Sequence, residues 1–148
     1  MSQKKLKLKI VTPEKLILEE EVDQVSVPTP NGEITVLPDH VPMISSISSG
    51  DIVAYNGGES IPMAIVGGFL EIKKYDHHTE IAILADFAEH VSELSEEKIT
   101  EAKSKAETLR KQMENKEIVD FEHFTAELER SLTRVKIADK WKNKRYRK

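Results

Sequence analysis

Near residue 90 the apolar spacing of the chain changes from a period of two to steps of three and four, which commits it to two unlike halves, strands first and helices after. Lys5-Leu6-Lys7-Leu8-Lys9-Ile10 alternates strictly, so Leu6, Leu8 and Ile10 share one face of a strand and the lysines take the other. Thr12-Pro13 ends this strand, Leu16 to Leu18 begins a second, and Val22, Val25 and Val27 continue the β-type composition. Turn signals at Ser48-Ser49-Gly50-Asp51, Asn56-Gly57-Gly58 and Tyr75-Asp76-His77-His78 separate further short apolar runs. Short strands with turns at this density predict an antiparallel sandwich or barrel. Gly67-Gly68 reads as a bulge or a close approach of sheets, because no helix follows at phosphate-loop distance and no Lys-Ser or Lys-Thr pair completes such a loop.

After residue 90, Ser95 predicts a helix N-cap with Glu96 and Glu97 in the first turn, where carboxylates oppose the positive helix end. Ile99, Ala102, Ala106, Leu109 and Met113 make one apolar seam. A polar break from Glu114 to Glu117 and a cap at Asp120 precede a second seam, Phe121, Phe124, Leu128, Leu132 and Val135. The pattern predicts an antiparallel αα-hairpin. Each seam is narrow and the first is rich in alanine, so burial at about 25 cal/mol per Å² holds the helices weakly against their ordering entropy. The chain therefore divides into a β-sandwich domain over residues 1–89 and a helical hairpin with a basic tail over residues 90–148; the hairpin is expected to be the less stable half, and if it detaches from the sandwich it can take different positions with different partners.

Within the first half, the stretch from Gly32 through Glu33, Ile34 and Leu37 to Pro42 joins a turn, a strand and a double-proline corner. Asn31-Gly32 supplies the positive φ of the turn, while Pro38 and Pro42 remove two ladder donors and fix φ. His40 lies between the prolines. Its ring either fills the corner and bonds backbone or docks against a neighbour, and residue type alone leaves both readings open.

Composition narrows the chemistry. The 148 residues include no cysteine, which excludes disulfide staples and thiolate metal sites. No signal peptide is expected from the lysine-interrupted start, and no run approaches the roughly 18 apolar residues of a membrane span. The expectation is a soluble protein, or one held at a membrane only by a partner. The net charge of -4 conceals a tail, residues 130–148, in which nine basic side chains face Asp139 alone, a balance of +8 that leaves -12 on the rest. Arg130 and Arg134, at i and i+4, form a patch on one helix face, while the remaining tail reads either as a solvated end or as a contact for an acidic partner. Nucleic acid would call for aromatic stacking among the charges, and only Trp141 and Tyr146 qualify, so no nucleic-acid partner is expected. The sequence has no His-Glu-x-x-His, no Gly-x-Ser-x-Gly and no glycine-rich loop opening a helix. It predicts a chain that is not an enzyme and needs no cofactor or metal, with His77-His78 a poor metal site at a hairpin tip.

Five stretches in order resemble the epsilon subunit of bacterial F-type ATP synthases. They are Gly32-Glu33-Ile34 with Leu37-Pro38-Asp39-His40-Val41-Pro42, Gly67-Gly68-Phe69-Leu70-Glu71-Ile72, Ile81-Ala82-Ile83-Leu84-Ala85-Asp86, Glu101-Ala102-Lys103-Ser104-Lys105-Ala106-Glu107, and Val119-Asp120-Phe121 with Ala126-Glu127-Leu128. The resemblance implies an α+β chain, a ten-stranded antiparallel β-sandwich followed by an αα-hairpin. It implies a central-stalk rotor subunit of the proton-translocating synthase that binds the gamma subunit and rests on the c-subunit ring. It places the protein at the cytoplasmic side of the cell membrane only through the complex. By the same resemblance, Asn31, Gly32 and Glu33 face the c-ring, and His40, Val41 and Pro42 face gamma. Arg130, Arg134 and Lys136 meet the beta subunit when the hairpin extends among the alpha and beta subunits and inhibits ATP hydrolysis. Some family members bind ATP through Ile-Asp-x-x-Arg-Ala. Here Glu97-Lys98-Ile99-Thr100-Glu101-Ala102 stands in its place, and Lys98 and Glu101 remove its aspartate and arginine, so no ATP binding is expected. The rival reading is a free-standing sandwich binding module with a dimerising hairpin.

Overall fold

The computed structural model describes residues 4–114 and 121–148. Ten strands come first: β1 Leu6–Val11, β2 Leu16–Val22, β3 Gln24–Thr29, β4 Gly32–Val36, β5 Met43–Ser46, β6 Gly50–Asn56, β7 Glu59–Val66, β8 Phe69–Lys74, β9 Thr79–Leu84 and β10 Phe87–His90. A short 3-10 turn, Val91–Glu93, leads to α1, Glu96–Glu114, and α2, Phe121–Trp141.

The strands form two five-stranded sheets. Sheet A has the order β2-β1-β9-β8-β5 and sheet B the order β10-β7-β6-β3-β4. Strict alternation in β1 puts Leu6, Leu8 and Ile10 on the inner face of sheet A, with Leu70, Ile72, Ile81 and Ile83 from its neighbours. Val25, Val27, Ile52, Ile61, Met63 and Ile65 meet them from sheet B, closing an aliphatic core between the sheets.

The expected antiparallel sandwich forms with one exception, since β1 and β9 run parallel. β1 is joined to β9 by most of the sandwich and not by a hairpin, so no tight turn dictates their relative direction. Gly67 and Gly68 make the expected close approach, as the turn that carries the chain from sheet B to sheet A. A Cβ on Gly68, at φ +114, would lie 2.0 Å from the Leu84 carbonyl oxygen.

The Ser95 cap also forms: the Lys98 N–H donates to Ser95 Oγ at 3.2 Å. In α1 the seam buries Ala102, Ala106 and Leu109, while Met113 is exposed. The second seam is only partly as the spacing predicts, because Phe124 is buried but Leu132 is exposed and Ser131, Thr133, Ile137 and Trp141 are buried instead. The reason is that α2 serves two neighbours, packing on α1 along one side and on β6 and β7 along another. The Asp120 cap and the polar break beyond Glu114 lie outside the described residues.

Candidate functional site

Three surfaces on this frame carry the residues of interest. The first is the β4 corner. At the hairpin between β3 and β4, the Thr29 hydroxyl donates to the Gly32 carbonyl at 2.6 Å and the Asn31 N–H donates to Thr29 Oγ1 at 3.3 Å. Gly32 sits at φ +115, and Asn31, Gly32 and Glu33 are all exposed. At the other end of β4, Asp39 adopts φ +70 and its N–H donates to buried Thr79 Oγ1 at 2.8 Å. Lys4, 2.8 Å from Asp39, holds that carboxyl below the usual carboxylate range. The His40 ring donates through Nδ1 to the Val41 carbonyl at 2.8 Å. The structure therefore places Glu33 and His40 at opposite ends of β4, a strand of about 16 Å.

The second surface is the outer face of sheet A. Cross-strand partners Leu16, Val11, Leu84, Phe69 and Ser46 form one row over all five strands. Leu84 and Phe69 are each 58% exposed, and Ile44, beside the row on β5, is 71% exposed. Toward the other end of the same face the residues are charged, with Lys7, Lys9, Glu19, Glu21 and Glu80. The apolar end continues through Ile44 into exposed Val41 and Pro42. Sequence reasoning missed this row, although its signal was available: Phe69 and Leu84 occupy the strand positions opposite to Leu70, Ile72 and Ile83.

The third surface is the outer face of sheet B, which α2 covers. Asp51, Ala64 and Glu89 are direct cross-strand neighbours on β6, β7 and β10. Small Ala64 admits the helix, and Val53, Ile137 and Trp141 pack around it. The flanking carboxylates are nearly buried, with side chains 10% exposed at Asp51 and 8% at Glu89. Asp51 accepts from Lys140 Nζ and from the Trp141 indole N–H, both at 2.9 Å. Glu89 accepts from Arg134 Nε and from Lys98 Nζ, both at 3.0 Å. The spacing fits: six helical residues from Arg134 to Lys140 rise about 9 Å, and two strand intervals span about 9.6 Å. The Arg130 and Arg134 guanidinium groups also lie over the Phe87 ring, 5.4 and 4.8 Å from its centroid.

Thus the structure brings Arg130 and Arg134 together over Phe87 of β10, Arg134 half-buried and Arg130 still exposed, while Lys136 is exposed without that contact. Lys98 is committed to Glu89 and Glu101 is exposed, and neither lines the cleft of about 450 Å³ between α1 and the end of α2, which Ile99, Lys103, Trp141 and Tyr146 help to line. His78 is stacked on Tyr75 with centroids 4.6 Å apart and lies 3.1 Å from Glu80. Among the described residues no group of three or more His, Cys, Asp or Glu side chains is placed to hold a metal.

Comparison with known proteins decides the family. Residues 5–91 match the family described as ATP synthase, Delta/Epsilon chain, beta-sandwich domain. An ATP synthase epsilon chain from Desulforamulus reducens is 35% identical over 133 residues, 90% of this chain and 96% of that relative. The chain belongs to the ATP synthase epsilon-chain family. A second epsilon chain, from Dehalococcoides mccartyi, is 36% identical over 138 residues, covering 92% of this chain and 94% of its own. Epsilon-chain similarity therefore runs beyond the sandwich into the helices. The fold recurs in a chain of the Euglena gracilis mitochondrial ATP synthase, with a TM-score of 0.63 at 22% identity over 95% of this chain and 81% of that one.

Proposed function

We propose that this epsilon-family chain is a non-catalytic rotor subunit of the proton-translocating synthase, fixed to gamma by its bare face and inhibiting ATP hydrolysis through its covered one. The observation that carries this reading is the contrast between the sheets. The outer face of sheet A presents an exposed apolar row that continues into His40, Val41 and Pro42, as a lasting protein contact requires. Gamma is the partner we assign to that face. Asn31, Gly32 and Glu33, on a rigid tip at the far end of β4, are assigned to the loops of the c-ring.

In the inhibitory step α2 leaves sheet B, and Arg130, Arg134 and Lys136 are presented to an acidic segment of the beta subunit. Charged contacts suit such an exchange, because one carboxylate partner replaces another. Glu89 and the beta-subunit acids would then compete for Arg134. No ATP binding is part of this reading, since Lys98 and Glu101 stand where the nucleotide-binding members have acid and arginine. Among the described residues no helix is long and apolar enough to cross a membrane, and the proposed place at the cytoplasmic face of the cell membrane comes through the complex. Adding the protein to an epsilon-depleted synthase tests both halves. The reading expects stoichiometric recovery with gamma and a fall in ATPase rate, and an unchanged rate with full recovery removes the inhibitory half.

A further inference from the structure

Composition leaves the last residues either a solvated basic end or a contact for an acidic partner, and the structure anchors them to both sheets of the same chain. Lys140 and Trp141 share the Asp51 carboxylate on sheet B. Trp141 is buried, Tyr146 packs edge-on to its ring with centroids 6.0 Å apart, and Lys144 Nζ lies 5.2 Å over it. Beyond this cluster the Arg147 N–H donates to the Ser60 carbonyl at 2.8 Å. β10 pairs with β7 only as far as Met63, so Ser60 lies past its end, and the tail continues along the edge that β10 does not reach. The Arg147 guanidinium then crosses to sheet A, where Nη1 lies 2.9 Å from Glu20 Oε1 on edge strand β2. Among the described residues, buried Glu20 Oε2 has no hydrogen-bond partner, and Arg147 at Oε1 offsets the carboxylate's charge.

We propose that residues 140–148 are an intramolecular latch that holds α2 on sheet B and must detach before the hairpin leaves the sandwich. The apolar contact beneath α2 is small, with Ile137 and Trp141 set on Val53 and Ala64. A second attachment on the same chain acts at high effective concentration, so each anchor strengthens the other. The consequence for the synthase rests on the movable-hairpin reading above; the latch itself does not.

The test compares the full chain with a Tyr146→Ala, Arg147→Ala double variant and with Glu20→Gln, by hydrogen exchange. The latch expects roughly tenfold faster exchange across residues 122–136 in the double variant, with β1, β7 and β9 unchanged. Trp141, the single tryptophan, should also shift its emission toward that of solvent-exposed indole. Unchanged exchange in α2 overturns the latch. If the double variant loses strand protection as well, Glu20→Gln decides, since it removes the far anchor without touching the tail. An α2-selective rise supports the latch, and no rise overturns it. In reconstituted synthase the same variants should inhibit hydrolysis more strongly. Faster α2 exchange with unchanged hydrolysis keeps the latch and removes the inhibitory reading.

Discussion

The outer faces of the two sheets are built by the same strand alternation, yet sheet A ends in an apolar row that is bare, while on sheet B carboxylates flank a small apolar patch and α2 covers both. On sheet A the outward positions at one end are Phe69, Leu84 and Ile44, and no element of this chain packs over them among the described residues. On sheet B the outward row is Asp51, Ala64 and Glu89, and α2 lies across it through three charge-assisted contacts, with Lys98 of α1 adding a fourth to Glu89. Apolar area gains most from staying buried, which suits a contact that persists through rotation. Ion pairs lose little when they exchange partners, which suits a contact that must come apart.

The largest effect should come from damage to the frame that both faces share. Gly68→Ala forces a Cβ onto the Leu84 carbonyl at a positive φ and should cost about 3–5 kcal/mol, read as loss of cooperative thermal unfolding or of soluble protein. Next, Phe69→Asp with Leu84→Asp should weaken capture by gamma by about 2 kcal/mol or more while leaving hairpin and melting temperature intact. If capture is unaffected, sheet A is not the rotor face. Glu89→Ala strips Arg134 and Lys98 of a shared partner. Both cations are part-exposed, so the cost should be only about 1–2 kcal/mol, visible as faster exchange in α2 with the strands unchanged.

The smallest effect is that of pH. Burial holds His90 below its ordinary value near 6.5, partly opposed by Glu93, and its ring lies 6.1 Å from that of Tyr146. A depressed histidine favours the closed form above its unfolded pKa, and that contribution is lost as pH falls through the folded value. Trp141 emission should therefore move slightly toward the exposed position as pH falls from about 6.5 through the lowered folded value, and less so in His90→Asn.

The sequence was most legible where one residue class met one environment. β1 could be read from its lysines alone, and the Gly67-Gly68 approach from the absence of anything that would make it a phosphate loop. α2 was harder because a helix with two neighbours has two overlapping apolar stripes. Leu132 was assigned to a seam it does not join, while Ile137 and Trp141 were hidden among lysines. The apolar row on sheet A was missed for a related reason, since it is assembled from single residues on separate strands and exists only once their register is set. Glu89 and Asp51 gave no local sign of their role, because their cationic partners Arg134 and Lys140 follow 45 and 89 residues later.

If sheet B releases α2 while sheet A keeps its hold on gamma, fastening α2 to the sandwich should abolish inhibition alone. Ser49 and Glu129 are in side-chain contact across that interface, and the chain has no native cysteine. Ser49→Cys with Glu129→Cys, bridged by a short bis-maleimide, would fasten α2 to the sandwich. In epsilon-depleted synthase the bridged protein should still co-purify with gamma but lose its inhibition of ATP hydrolysis, while the unbridged double variant inhibits. Equal inhibition by bridged and unbridged protein would contradict the account.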